Sequence, residues 1–221
     1  MAKKVVILGV GSFARELRAY IERDEAYTVV AFCVDKEFVT ESEDLPIISL
    51  EDLPRLYPSD EHEVLIAIGY SKLNTLRQKK FKQIQEMGYT IASYVSKKAN
   101  INTNLLGVGN IILDNVRIGF FTKIGDGNII GDGANIAHDN NIGNFNFLAM
   151  SSSIAGNVTI EDYCFIGNNA TVRDGVCIKD FTLIGAATYI DEDTQEYQLC
   201  IPQKAIRIQK GSKAYLERKK I

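Results

Sequence analysis

The sequence predicts a small α/β domain followed by a parallel β-helix, and three observations carry that prediction. Every sixth residue from Leu106 to Ile190 is Leu, Ile or Val, without a slip. Two residues before most of these aliphatics stands a small or compact residue, as at Asn110, Ala134, Ser152 and Ala170, and glycine often comes directly after them, as in Ile118-Gly119 and Ile166-Gly167. Residues 1–96 lack this period and alternate between strand-like and helix-like segments around a glycine turn. A period of six suits neither an amphipathic helix nor a hairpin meander and is the mark of hexapeptide repeats wound into a β-helix.

The first element is a strand, Val5 to Leu8, followed by a turn holding Gly9 and Gly11. A helix then runs to about Arg23, with Ala14 where a small residue allows close helix–strand packing. A second strand, Thr28 to Val34, ends at Asp35, which places an acid at the carboxyl end of the sheet. A strand at Val64–Ile68, a helix from about Lys72 to Met87 and a strand near Thr90–Tyr94 complete this domain. That is one mononucleotide-binding half, whereas a dinucleotide dehydrogenase needs two. The crevice at the carboxyl ends of the strands would be lined by Gly11, Ser12, Phe13, Asp35, Lys36, Gly69 and Tyr70, and it suits a nucleotide carrying a sugar.

In the repeats, residues two apart share a strand face. The large aliphatic and its small partner therefore point inward, leaving Gly, Asp, Asn and Lys to the corners. Three hexapeptides make an eighteen-residue coil, so the run from Leu106 to Ile190 gives about five coils, roughly 24 Å at strand spacing. Asn110, Asn128 and Asn146 fall eighteen apart and predict a ladder down one corner, a scaffold feature suited to left-handed backbone. The expected division is residues 1–96, 97–191 and 192–221, the last a charged cap with a short helix at Ala214–Lys220.

Composition excludes several classes. A net charge of −3 with no basic stripe gives nucleic acid no footing. The four cysteines show no metal-site spacing, which suits a reducing cytoplasm, and no metal is expected. No apolar stretch reaches membrane-spanning length. With only two histidines, a γ-class carbonic anhydrase, which needs three zinc ligands, is ruled out, and the first domain is too short for a nucleotidyltransferase.

His62 lies in the acidic stretch Asp60–Glu63 and is expected to be a surface residue. His138 stands in Ile136-Ala-His-Asp-Asn-Asn-Ile142, two after an inward aliphatic, hence at a corner with Asp139 beside it. Imidazole is suited to accepting a proton near neutral pH. Gly156 is His138 plus eighteen and should lie beside it on the next coil, where a bare backbone N–H could meet an oxyanion. Together these predict acyl transfer from a thioester.

Gly9-Val-Gly-Ser-Phe-Ala-Arg-Glu16, Ala137-His-Asp-Asn-Asn-Ile-Gly143, Ile154-Ala-Gly-Asn-Val158 and Ile201-Pro-Gln-Lys204 resemble the bacterial sugar-nucleotide N-acetyltransferases of the left-handed β-helix class, which are related to the sialic acid O-acetyltransferases. The resemblance spans nearly the whole chain. It implies a left-handed coil, a homotrimer and acetyl-CoA lying between neighbouring prisms. It further implies that His138 deprotonates the sugar amine, Asp139 supports it and Gly156 donates its N–H to the thioester oxygen. By the same matching the acyl-CoA runs past Phe147, Asn168 and Ala186. Relatives often carry histidine where this chain has Phe13 and Phe147; Phe147 and nearby Met150 make the acyl end more apolar, which leaves the acyl chain length open.

The expected activity is acetyl-CoA-dependent N-acetylation of a nucleotide-linked deoxy-amino sugar by direct attack. A sugar O-acetyltransferase of the sialic acid type differs only in its nucleophile. A non-catalytic nucleotide-binding trimer is the rival from another class, against which a corner histidine argues.

Overall fold

The computed structural model describes residues 3–205. The first part is a four-stranded parallel sheet of β1 (Lys4–Leu8), β2 (Thr28–Val34), β3 (Ile47–Ser49) and β4 (His62–Ile66), in the order β3-β2-β1-β4. Helices α1 (Ser12–Asp24) and α3 (Thr75–Glu86) flank it, with the short α2 (Leu53–Leu56) between β3 and β4. The strands are continuous aliphatic runs because both faces are covered: Val5 and Ile7 pack on the α1 side with Leu17 and Ile21, and Val6 and Leu8 on the other with Phe81 and Ile84. Gly9 has φ +125°, and a Cβ there would lie 2.8 Å from the Ala67 carbonyl oxygen, so the turn after β1 needs a glycine. Gly11 is different, since a Cβ there meets nothing within 4 Å.

The expected strand at Thr90–Tyr94 does not form. Ile91 makes a single bridge to Val64, and Tyr94 already pairs with Ile111 in the β-helix. The expected surface role of His62 is also overturned. It opens β4, is buried, and its Nδ1 lies 3.1 Å from the Pro58 carbonyl oxygen, with the ring edge-on to Tyr57.

The rest of the chain winds into a three-faced prism of parallel two-residue strands. Face one stacks seven strands from Tyr94–Val95 to Leu199–Cys200, and face two stacks six from Asn100–Ile101 to Tyr189–Ile190. Face three stacks four from Lys123–Ile124 to Cys177–Ile178. The register is eighteen residues along the regular run, as in Ile136 opposite Ile154. The stack reaches beyond that run at both ends: Tyr94 pairs with Ile111 at a spacing of 17, and Leu183 with Leu199 at 16. Shortened corners let these coils pair without a perfect hexad, which is why the period misses them. The expected helix at Ala214–Lys220 lies outside the described residues.

The prism interior is the predicted aliphatic column, Ile112 through Ile190, filled out by Val116, Ala134, Val158 and Ala170. The asparagine ladder forms as expected. Asn110 Oδ1 accepts from the Asn128 backbone N–H at 2.8 Å, Asn128 Oδ1 from that of Asn146 at 2.8 Å, and Asn146 Oδ1 from that of Cys164 at 2.7 Å. The left-handed positions of that corner, however, are the residues just before the ladder, Gly109, Gly127, Phe145, Tyr163 and Phe181. Their aromatic rings stack outside, Tyr163 on Phe181 at 4.7 Å between centroids.

Candidate active site

His138 and Asp139 follow the face-two strand Asn135–Ile136 and turn the chain toward face three. Asp139 has φ +57°, a left-handed conformation that Asp tolerates better than most residues, and its N–H donates to the Phe120 carbonyl at 3.0 Å. That kink brings Asp139 Oδ2 to 2.8 Å from His138 Nδ1, with the imidazole exposed. The contact uses Nδ1, so Nε2 points away from the carboxylate. Among the described residues Nε2 has no hydrogen-bond partner.

Gly156 lies one coil further on, held there as Asn157 N–H donates to the His138 carbonyl at 3.1 Å. A Cβ at Gly156 would stand 2.8 Å from His138 Cε1 and 3.0 Å from Nε2. A methyl group there would force the overhanging ring to move. The same Cβ would lie 2.9 Å from Asp174 Oδ1, so a second carboxylate flanks the site from the following coil. Asp174 escaped the sequence argument, although its position at His138 plus 36 was the available signal.

The residues expected along the acyl donor form two further groups. Asn168 and Ala186 are both exposed and adjacent on the corner between faces one and two, where Ala187 N–H donates to the Asn168 carbonyl at 2.8 Å. Phe147 points outward from face one and stacks on Phe165 at 5.5 Å. Neither group shares a corner with His138, which lies between faces two and three.

In the first domain, an apolar crevice of about 160 Å³ opens at the strand ends, lined by Leu8, Gly9, Cys33, Val34, Asp35, Phe38, Ile68, Leu76 and Lys80. Burial pushes the Cys33 thiol up to about 12, so it is no nucleophile at neutral pH. Asp35 is ion-paired with Lys80, a buried residue the sequence argument missed, and Lys80 also donates to Gln83 Oε1 at 3.1 Å. Lys36 is exposed and 3.6 Å from Glu51. Gly11 and Ser12 are exposed at the start of α1, where unpaired N–H groups favour anions. Phe13 instead packs into the apolar cluster between the first domain and face one. Tyr70, next to Gly69, leans edge-on against Phe165 and Phe147, at 4.9 and 5.3 Å.

Among the described residues no helix is long and apolar enough to cross a membrane.

Residues 4–84 match the family model of the PglD N-terminal domain, and residues 141–174 match that of the bacterial transferase hexapeptide (six repeats). No curated protein matches the chain. Among solved structures it is similar to PerB from Caulobacter crescentus in complex with CoA and GDP-perosamine, at 28% identity and a TM-score of 0.80, over 90% of this chain and 94% of that one. A mutant of GDP-perosamine N-acetyl transferase from the same organism, also with CoA and GDP-perosamine, gives 27%, 0.81, 90% and 93%. The acetyltransferase domain of PglB from Neisseria gonorrhoeae, in complex with acetyl coenzyme A, is similar in fold at 18% identity and a TM-score of 0.78, over 91% and 97% of the chains. The chain thus pairs a PglD-type α/β domain with a left-handed hexapeptide β-helix.

Proposed function

We propose that this chain, an acyltransferase of the left-handed β-helix class, moves an acetyl group from acetyl-CoA to the amino group of a nucleotide-linked deoxy-amino sugar. The observation that carries the proposal is the His138 ring, oriented through Nδ1 by Asp139 and overhanging Gly156 with Nε2 free. The similarity to PerB, solved with CoA and GDP-perosamine, supports the substrate classes.

In the proposed reaction, Nε2 removes a proton from the sugar amine as its nitrogen attacks the thioester carbonyl. The Gly156 N–H, to which no acceptor is assigned among the described residues, donates to the carbonyl oxygen as it gains charge. The C–S bond then breaks, and the coenzyme A thiolate takes the proton from the imidazolium. No covalent enzyme intermediate is needed, which agrees with Cys164 lying buried with its thiol pushed up to about 12.

Labour divides along the chain: the first domain holds the nucleotide, with Asp35 at the crevice, and the β-helix from Tyr94 to Cys200 carries out transfer. His138 and the pair Asn168–Ala186 occupy different corners of one prism. A donor that touches all three must lie between neighbouring prisms, which favours a homotrimer.

A thiol-release assay with acetyl-CoA against GDP-, UDP- and dTDP-linked amino sugars tests the proposal, with His138→Ala as control. Release with one acceptor, lost in the variant, is expected. A trimeric, folded enzyme that releases thiol only with a sugar hydroxyl acceptor would replace N- by O-acetylation.

A further inference from the structure

We infer that Arg77 is a positioning residue: it fixes the loop that joins the nucleotide crevice to face one, and so sets the spacing across which the two substrates meet. This inference rests on the transferase proposal above.

Arg77 is 1% exposed, one of the largest fully buried side chains. Its Nε donates to the Gly127 carbonyl at 2.8 Å. One terminal nitrogen reaches the Gly69 carbonyl at 2.8 Å and Asn74 Oδ1 at 3.0 Å, and the other reaches the carbonyls of Phe145 and Asn146, both at 3.0 Å. Every acceptor is neutral. Burial pushes its pKa down to about 9, which still leaves it cationic at neutral pH. Burying a cation without a counter-charge is costly, and an apolar side chain would fill the same space. What an apolar side chain lacks is the rigid fork that aims donors in several directions at once.

Those directions lead to the crevice and to Phe147, which is expected along the acyl donor. Gly69 follows Ile68, a wall of the crevice, and precedes Tyr70, which leans on Phe147. Phe145 and Asn146 lead directly into Phe147. The guanidinium thus grips, from behind, both backbone segments that meet in the Tyr70–Phe147 contact. Asn74 adds a second grip: left-handed at φ +65° and fully buried, it donates from Nδ2 to the Cys164 carbonyl at 3.1 Å. A loose loop would still leave each subsite whole, since the crevice lies in the first domain and Phe147 in the prism. Only their relative placement would be lost, which is a defect in kcat.

The test uses full-length R77K and R77M. Melting, amide hydrogen exchange over residues 68–74, dissociation constants for acetyl-CoA and for GDP or UDP, and kcat per folded site are compared with wild type. In R77K, which keeps the charge and loses the fork, we expect exchange in the loop to rise at least tenfold and kcat to fall at least tenfold. Both dissociation constants should stay within threefold. R77M should show the same pattern more strongly, and if it fails to fold R77K decides. A folded R77K with kcat and loop exchange within twofold of wild type overturns the inference, as does a loss of nucleotide binding that matches the loss of kcat. A wild-type enzyme that turns over no acceptor sinks the transferase proposal instead, because the exchange comparison still reports whether Arg77 holds the loop.

Discussion

The imidazole of His138 covers the α-carbon of Gly156 so closely that a methyl group there would stand 3.0 Å from Nε2. The backbone at Gly156 lies outside the left-handed region, so alanine is conformationally acceptable. The conflict is with an exposed ring that can swing away, and stability should barely change. Activity should change a great deal, since a base displaced by about 1 Å costs on the order of 10²-fold. Gly156→Ala should therefore lower kcat about 10²-fold while the melting temperature stays within about 2 °C. Equal loss of kcat and of melting temperature would mean that the glycine serves the coil and not the reaction.

His138→Ala removes the proposed base and should reduce kcat by about 10² to 10⁴-fold, the usual range for a positioned acid–base group. Its side chain is exposed, so sedimentation and melting should match wild type. Asp139→Asn keeps an acceptor beside Nδ1 but removes the charge that sustains the proton there. A decline of about tenfold to a hundredfold in kcat, with KM for acetyl-CoA unchanged, is expected. Unaltered turnover in either variant would remove the pair from the mechanism.

The β-helix was legible because its coils repeat the same local choice, with Ile136, Ile154 and Val172 stacking in strict register. The juxtaposition of His138, Asp139 and Gly156 was legible for the same reason, since eighteen residues in sequence is one coil in space. The first domain announced itself through Gly9 and Gly11, though Thr90–Tyr94 was misassigned because Tyr94 pairs across the domain junction with Ile111. Arg77, Asn74 and Lys80 left no signal. On a helix flanked by charged residues Arg77 reads as solvated, and only the corners at Gly127 and Asn146, fifty or more residues away, make it buried.

At a second junction, Arg23 makes a two-pronged contact with Asp114, 2.8 Å on each prong, and a 2.8 Å contact with Asp24 Oδ1. Asp24 also accepts from the Tyr94 hydroxyl at 2.8 Å. The guanidinium holds both carboxyls well below the ordinary value of 3.8. A carboxyl with a depressed folded pKa contributes stability above its unfolded value and loses it as pH falls through the folded one. The contribution of this cluster is thus complete above about pH 4 and fades below it. Asp114→Asn should lower stability at pH 7 by about 1–3 kcal/mol and flatten the acid limb of a melting-temperature profile between pH 4 and 2. An acid limb identical to wild type would show that other carboxyls govern acid unfolding.

The asparagine ladder offers the sharpest contrast between two asparagines of neighbouring coils. Asn146 is fully buried; its Oδ1 accepts from Cys164 N–H at 2.7 Å and its Nδ2 donates to the Glu161 carbonyl at 2.8 Å. Asn146→Ala strands one donor, the Cys164 N–H, and one acceptor, the Glu161 carbonyl. Each buried orphan costs about 1–3 kcal/mol, so a loss of about 2–6 kcal/mol is expected. Asn135 instead sits on a strand, and its side chain points to solvent and only grazes Arg117 at 3.4 Å. Asn135→Ala should stay within about 0.5 kcal/mol of wild type. Urea unfolding of both variants measures the difference directly. Comparable midpoints would mean that the aliphatic column holds the coils together unaided, because the ladder is the feature that only Asn146 shares.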